Sequence, residues 1–203
     1  MKLYYMAGAC PLAAHIVLGW TGAPYKSEKL SHDDLKKEAY LRVNPLGAVP
    51  ALEVDGSVIT QNAGVLGYLA EAYPDAKLGG DGTPRGDAEV HRWLGLVNSD
   101  IHPAFKPLFG ATAYLGDEAT IDKTKAHARK TLRDLFDVVD KQLKGRDWIA
   151  QQRSIADAYL FVVLRWAHAV KLDISGLTEI ARYYGQMQKD SGVVKALAVE
   201  GLA

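Results

Sequence analysis

A stretch rich in glycine, proline and aspartate, PDAKLGGDGTPRGD at residues 74–87, divides the chain into two parts with different hydrophobic periodicity. Before it, short strand-like and helical segments alternate. After it, no segment shows sustained strand alternation, and every apolar pattern has helical spacing. Such a stretch is typical of a linker. We therefore expect a first domain at 1–76, a linker at 77–86 and a second domain at 87–203.

The first part predicts an α+β domain in the order βαβαββα. Proline in the first turn of the helix at 11–20 is favourable, because the first amides of a helix have no intrahelical partner. Asp55-Gly56 between two apolar runs is a strong hairpin signal. Asn62 is a candidate cap for the last helix. The expected strands are 2–5, 25–30, 51–54 and 57–60, and the expected helices are 11–20, 33–43 and 62–73.

The second part predicts an all-α bundle with helices at 89–109, 121–143, 155–171 and 177–189. The third of these, SIADAYLFVVLRWAHAV, is apolar nearly all round, which places it at the centre of the bundle. Ser154 and Asp157 have the spacing of a capping box, in which each side chain accepts from the other residue's amide. We therefore expect both residues to be structural.

Composition excludes some classes of partner. The 24 basic and 24 acidic residues cancel, so the chain lacks the positive excess of proteins held to nucleic acid or anionic lipid by bulk charge. The longest apolar run, YLFVVL, is too short to span a bilayer. The histidines show no metal-ligand spacing. We expect a cytoplasmic protein without a metal.

Cys10 is the only cysteine in 203 residues and precedes a predicted helix. Helix N-terminal amides favour an anion, so this position predicts a stabilised thiolate with a lowered pKa. The alternative is a small apolar side chain that fills a core gap. Ala13 stands where a dithiol motif would carry its second cysteine. Redox chemistry at Cys10 therefore needs a thiol from outside the chain.

Two further segments have features of a binding site. An extended segment that ends at Val49-Pro50 leaves the Val49 backbone free to bind a strand-like peptide, although a simple turn is the usual explanation of a lone Val-Pro. Gln61 and Asn62 stand where a strand meets a helix N-terminus, which suits a carboxylate. For Asn62, plain helix capping is the competing interpretation.

These segments, with their order and spacing, resemble those of bacterial glutathione transferases of the beta class. The resemblance spans essentially the whole chain and rests on MKLYYMAGACPLAAHIVL, VNPLGAVPAL, VITQNAGVLGYLAEAYP, IHPAFKPLF, DWIAQQRSIADAYLFVVLRWA and EGLA. It implies a thioredoxin-like N-terminal domain, an all-α C-terminal domain, a homodimer, and glutathione bound between the domains. Glutathione would supply the external thiol.

The resemblance also implies roles for individual residues. Cys10, Tyr5 and His102 would lie near the glutathione sulfur, as catalytic candidates. Val49 would pair through its backbone with glutathione, next to a cis Pro50, and Gln61 and Asn62 would hold the γ-glutamyl end. The expected acceptor pocket is apolar and consists of Phe105, Leu108, Phe109, Tyr159 and Trp166.

The chain also departs from the family pattern. Pro103 stands where a lysine commonly follows the histidine, and Pro11 replaces a common serine beside Cys10, so two groups that could stabilise a thiolate are absent. Lys36 and Lys37 lie in the region that often contacts the glycyl carboxylate.

The implied function is conjugation of glutathione to small apolar electrophiles, with thiol–disulfide exchange at Cys10 as a second reaction. The alternatives are a non-catalytic binding protein, or a glutathione-dependent dehalogenase or isomerase.

Overall fold

The computed structural model describes residues 1–202 and begins with the expected βαβ unit. Strand β1 (Lys2–Tyr5), helix α1 (Leu12–Thr21) and strand β2 (Lys26–Lys29) follow in order. β1 and β2 are parallel, with Lys2 opposite Lys26. α1 ends at Gly22 in the left-handed conformation, which glycine adopts without a Cβ penalty.

A hairpin completes the sheet. Strands β3 (Ala51–Val54) and β4 (Ser57–Thr60) are antiparallel, and Asp55 and Gly56 between them both have positive φ, as a tight hairpin turn requires. The strand order is β2-β1-β3-β4, with β1 and β3 antiparallel. The predicted fold class, a thioredoxin-like α+β domain followed by an all-α domain, is confirmed.

The helices of the first domain differ in detail from the predictions. The expected helix at 33–43 is a 3₁₀ turn (Asp34–Lys36) followed by helix α2 (Glu38–Leu41), because Lys37 between them is extended. Helix α3 (Asn62–Ala72) begins at Asn62 itself, and Gln61 occupies the cap position. The expectation that Asn62 caps this helix was wrong, since its side chain makes no capping hydrogen bond.

The connection between the domains is packed against the second domain. Leu78 is buried, and its carbonyl accepts from the Ile155 amide at 3.0 Å. Helix α4 (Pro84–Leu96) begins inside the segment expected as a linker, where the Thr83 side chain accepts from the Gly86 amide. Pro84 occupies the first helical position, as its missing N–H allows.

The predicted helix at 89–109 is interrupted. α4 continues into a π-helical turn (Val97–Ile101), a short helix α5 (His102–Ala104) and a 3₁₀ turn (Lys106–Phe109). Pro103 and Pro107 have no backbone N–H, so a regular ladder of hydrogen bonds cannot pass through this region. The remaining helices are α6 (Glu118–Leu143), α7 (Ile155–Ala169), α8 (Thr178–Met187) and α9 (Ser191–Glu200).

Helix α7 is buried on almost every side, as predicted, and the capping box at its start is confirmed. Asp157 is fully buried and accepts from the Ile149 and Ser154 amides and from the Ser154 and Tyr183 hydroxyls, at 2.8–3.1 Å. The carboxylate therefore connects α7 to α8 and to the loop before α7.

The sequence analysis missed helix α9, which packs against α1 of the first domain. A Cβ on Gly19 would lie 3.1 Å from the Gly192 Cα, so two glycines allow the close approach of the helices. The Trp20 indole donates to Asp190, whose carboxylate also caps α9. None of the helices within residues 1–202 combines the length and apolar character that crossing a membrane demands.

Candidate active site

A cleft of about 400 Å³ lies between the two domains. Its first-domain walls are the start of α1, the loop before β3 and the start of α3. Its second-domain walls are the region from α4 to the 3₁₀ turn, and α7. The lining residues are Cys10, Asn44, Ala48, Val49, Pro50, Gln61, Asn62, Asn98, His102, Pro103, Lys106 and Tyr159.

Cys10 lies two residues before α1, and its thiol donates to the Val49 carbonyl at 3.7 Å. Only 8% of the residue is exposed. Burial raises the pKa of the thiol to about 12, and the nearby Glu200 carboxylate raises it further, whereas backbone hydrogen bonding lowers it. The expected lowering of the Cys10 pKa is therefore not found, because the loss of solvation outweighs the amides at the helix start.

This burial predicts how Cys10 reacts in the free protein. Iodoacetamide should alkylate it slowly at pH 7, and the rate should rise about tenfold per pH unit to pH 9 without a plateau, since only the thiolate reacts. Intact-mass measurement assigns the product without ambiguity, because the chain contains one cysteine. Free glutathione serves as the control, with a plateau above its own pKa. A plateau for Cys10 near neutrality would contradict the buried, protonated thiol.

The loop before β3 presents its backbone to the cleft. The Val49–Pro50 peptide bond is cis, as expected. The Val49 N–H makes no backbone hydrogen bond within residues 1–202. The Asn44 amide and the Tyr40 hydroxyl both donate to the Ala48 carbonyl, at 2.6 and 2.7 Å. These two side chains hold the loop in its extended course across the cleft.

Asn62 is the most unusual polar residue of the cleft. It is 4% exposed, and its side chain meets no partner with full hydrogen-bond geometry in the described chain, although it lies close enough to the Tyr159 hydroxyl to lower the pKa of that phenol. Leaving such a group unpaired costs about 1–3 kcal/mol. The preceding residue, Gln61, is exposed and adopts φ +67°, which is strained for a residue other than glycine. Unsatisfied and strained groups of this kind concentrate at ligand sites.

His102 and Tyr159 form a pair on the second-domain side. The His102 Nδ1 and the Tyr159 hydroxyl are hydrogen-bonded. Burial, together with the charge of Lys106, lowers the pKa of His102 to about 4, so the imidazole is neutral at pH 7. Burial also raises the pKa of Tyr159, so the phenol keeps its proton. When this hydroxyl is the donor to Nδ1, the imidazole proton lies on Nε2.

Lys106 supplies a positive charge at the cleft. Among the described residues it forms no ion pair with an acidic side chain. Lys106 lies four residues after His102, and Asn98 lies four residues before it. The π-helical turn and the short helix bring these three residues to the same side of the segment. The cleft therefore has a lysine at position 106, about one turn after the position at which the family pattern carries one.

Some sequence-predicted residues lie elsewhere. Tyr5 does not line the cleft: its ring packs edge-on against His15, and its hydroxyl lies 3.5 Å from the Val199 carbonyl. Lys36 and Lys37 are also absent from the cleft walls, and Lys37 pairs with Asp34 on the surface at 2.7 Å.

The expected acceptor pocket is only partly at the cleft. Tyr159 lines it, whereas Phe105 is fully buried in the core. Trp166 lies behind His102, with ring centroids 4.7 Å apart, and its indole nitrogen donates to a backbone carbonyl. Phe109 stacks on Phe105 with 53% of its surface exposed. The two proline breaks divert this segment, so its aromatic side chains do not all face one side.

Sequence reasoning missed Asn44, Asn98 and Lys106. A signal existed for Asn44, since Asn-Pro favours turns that the asparagine side chain stabilises. The spacing of four on either side of His102 could have identified Asn98 and Lys106. No group of three or more potential metal ligands occurs in the part of the chain that the structure covers.

Comparisons with known proteins agree with this geometry. Residues 8–72 match the family model of the glutathione S-transferase N-terminal domain, and residues 122–186 match that of its C-terminal domain. A glutathione S-transferase of Xanthomonas campestris pv. campestris is 49% identical over 203 residues, the full length of both chains.

Solved structures show the same relationship. A sphingomonad glutathione S-transferase complexed with glutathione superimposes with a TM-score of 0.87 at 36% identity. The bacterial beta-class enzyme of Sphingomonas chungbukensis superimposes with a TM-score of 0.89, also at 36% identity. Both alignments cover 100% of each chain. With both domain models matched, full-length relatives and a cleft at the expected position, the chain belongs to the glutathione S-transferase family.

Proposed function

We propose that this protein is a glutathione transferase that binds glutathione in the interdomain cleft and transfers its sulfur to a small apolar electrophile. The observation that carries the proposal is the buried, unpartnered Asn62 side chain in a cleft that also presents Cys10, His102 and the Val49 backbone. A peptide that bears a carboxylate and a thiol complements this set of groups.

The first domain would hold the peptide. The Val49 N–H, which makes no backbone hydrogen bond, pairs with the cysteinyl backbone of glutathione, beside Pro50. The γ-glutamyl carboxylate lies at the start of α3, where the Asn62 amide, Gln61 and the free helix amides donate to it. This contact satisfies the buried Asn62 group and offsets its desolvation.

The second domain would stabilise the glutathione thiolate. His102 donates from Nε2 to the glutathione sulfur, and from the first domain the Cys10 S–H turns from the Val49 carbonyl to donate to the same sulfur. The Lys106 charge lowers the pKa of the glutathione thiol. The thiol proton passes to solvent, the sulfur attacks the electrophilic carbon, and the leaving group departs with the bonding electrons.

Thiol–disulfide exchange is the second proposed reaction. Cys10 attacks oxidised glutathione, a Cys10–glutathione disulfide forms, the original disulfide breaks, and one glutathione leaves as a thiolate. The Cys10 proton goes to solvent. Because burial holds this proton, we expect the exchange to be slow at neutral pH and to accelerate as pH rises.

The acceptor would lie against Tyr159, with Leu108 and the exposed Phe109 at the outer edge and Phe105 and Trp166 behind. These side chains favour an apolar electrophile.

We also propose a cytoplasmic homodimer. Light scattering of the purified protein tests the dimer, and a mass equal to one chain at micromolar concentration would contradict it.

The function is tested with purified protein, glutathione and chlorodinitrobenzene, and separately with a mixed disulfide of glutathione. We expect conjugation, exchange, and retention on immobilised glutathione. Glutathione binding without conjugation would point instead to a dehalogenase or isomerase. Binding of apolar ligands without glutathione affinity would favour the non-catalytic binding protein. Failure of both reactions and of retention would overturn the proposal.

A further inference from the structure

The second domain holds both backbone groups of Gly8, in the loop that leads to Cys10. The Gly8 N–H donates to the Glu200 carboxylate at 2.7 Å, and the Gly8 carbonyl accepts from the Trp166 indole at 2.8 Å. Glu200 is the last residue of α9, and Trp166 lies in α7. One residue of the first domain is therefore fixed by two helices of the other.

The position of Gly8 affects Cys10 directly, because only Ala9 separates them. The loop is tightly wound: the Ala9 amide donates to the Met6 carbonyl, and the Leu12 amide donates to the Ala9 carbonyl, both at 3.1 Å. Gly8 has φ +76°, a conformation that glycine adopts without strain. A shift of the Gly8 peptide therefore moves Cys10 relative to Val49 across the cleft.

Burial of the Glu200 carboxylate has a large desolvation cost, which packing alone does not explain. Glu200 is 2% exposed, and its Oε1 has no hydrogen-bond partner within residues 1–202. The nearest cationic candidate, His15 Nε2, is 3.7 Å away, and burial lowers the pKa of His15 to about 4, so the imidazole is neutral. An apolar side chain would fill this place at lower cost. The hydrogen bond to the Gly8 amide is the contact that offsets the desolvation of this carboxylate.

Other ionisable groups surround Glu200. Burial raises its pKa to about 7, against the opposing effects of the Gly8 amide and of two cations. Its charge in turn raises the pKa values of Cys10 and of nearby phenols. The groups concerned are His15 of α1, Tyr5 of β1, Tyr25 before β2, Lys29 of β2 and Arg165 of α7.

We propose that Glu200 and Trp166 are positioning residues that clamp Gly8 and thereby hold Cys10 at the reaction site. Trp166 also packs edge-on against His102, so one indole contacts both the Cys10 loop and the His102 side of the cleft. The expected effect of these two residues on turnover rests on the proposed function. Their effect on Cys10 itself does not depend on glutathione.

Three variants of the full chain test the clamp. Glu200→Leu removes the acceptor, Trp166→Phe removes the donor and keeps an aromatic ring, and Glu200→Gln keeps an oxygen acceptor without the charge. Val194→Ala, at an exposed position of α9, is the matched control. Circular dichroism establishes that each variant is folded. Alkylation of Cys10 and the separate kcat and KM of conjugation are then measured.

We expect Glu200→Leu and Trp166→Phe to reduce kcat about 10- to 100-fold with little change in the KM for the electrophile, since a displacement near 1 Å has this effect. Alkylation of Cys10 should accelerate as the released loop exposes it. Glu200→Gln should recover most of kcat and move the alkylation profile to lower pH, because a negative charge near the thiol is gone.

Unchanged alkylation and kcat in folded Trp166→Phe would overturn the clamp, even if Glu200→Leu fails to fold. If the wild-type protein shows no conjugation, the proposed function fails. The alkylation rates of the variants then still test whether Glu200 and Trp166 hold the loop of Cys10. A uniform loss of activity in step with melting temperature, including in Val194→Ala, would indicate a purely structural role and would also overturn it.

Discussion

Replacing Asp157 with alanine is expected to destabilise the protein by about 3–5 kcal/mol, among the largest effects of any single substitution in the chain. The substitution leaves the Ile149 and Ser154 amides buried without their acceptor, whereas the Tyr183 hydroxyl keeps the backbone carbonyl of residue 157. Each orphaned donor costs about 1–3 kcal/mol. Urea unfolding followed by circular dichroism measures the change as a lower midpoint.

Two controls separate the buried network from a general effect of removing an aspartate. Asp157→Asn keeps one oxygen acceptor, so its loss should be smaller, about 1–3 kcal/mol. Asp122→Ala removes an exposed aspartate paired with Lys125 and should change stability by less than about 0.5 kcal/mol. A loss in Asp157→Ala no greater than that of Asp122→Ala would contradict the role of the network.

Replacing Asn62 with aspartate is expected to raise the dissociation constant of glutathione about 10- to 150-fold or more. The lost hydrogen bond to a carboxylate accounts for about 1.5–3 kcal/mol, and repulsion between the two carboxylates adds to this. Isothermal titration calorimetry measures the constant. Burial of the new carboxylate without a partner can also lower stability, so the measurement is made well below the melting temperature.

A second variant keeps this prediction testable if Asn62→Asp does not fold. Asn62→Ser retains a donor in a smaller side chain and should weaken glutathione binding less than the aspartate does. Leu46→Ala, at an exposed position outside the cleft, is the control. Affinity within twofold of the wild type for both Asn62 variants would exclude the start of α3 as the carboxylate site.

The strands, the hairpin and the capping box follow from local sequence. β1, β3 and β4 begin and end at the predicted residues, because alternating apolar positions bounded by turn residues are a short-range signal. The capping box at Ser154 and Asp157 is equally local. Helix α9 escaped prediction because its polar face is weak and its stability comes from contact with α1, across the domain boundary.

For the candidate site too, some features could be predicted from the sequence and others could not. Cys10, Val49, Gln61, Asn62 and His102 do meet at one cleft, as their resemblance to family motifs implied. Of the two interpretations of Cys10, the structure favours the buried apolar side chain over the stabilised thiolate, because the helix start is visible in the sequence and the desolvation is not. Lys106 was missed, since its approach depends on the π-helical turn and on the break at Pro103.

By itself, the sequence determined the order of the strands and of the main helices before α9, the family, and most of the residue types that line the cleft. The tertiary structure alone decided which groups are buried, which proton each one keeps, and that Glu200 and Trp166 of the second domain hold the loop of Cys10. The physical reason is that turns, caps and hydrophobic periods depend on neighbours in the chain. Desolvation and long-range hydrogen bonds depend on neighbours in space, and Gly8 and Glu200 are 192 residues apart in sequence.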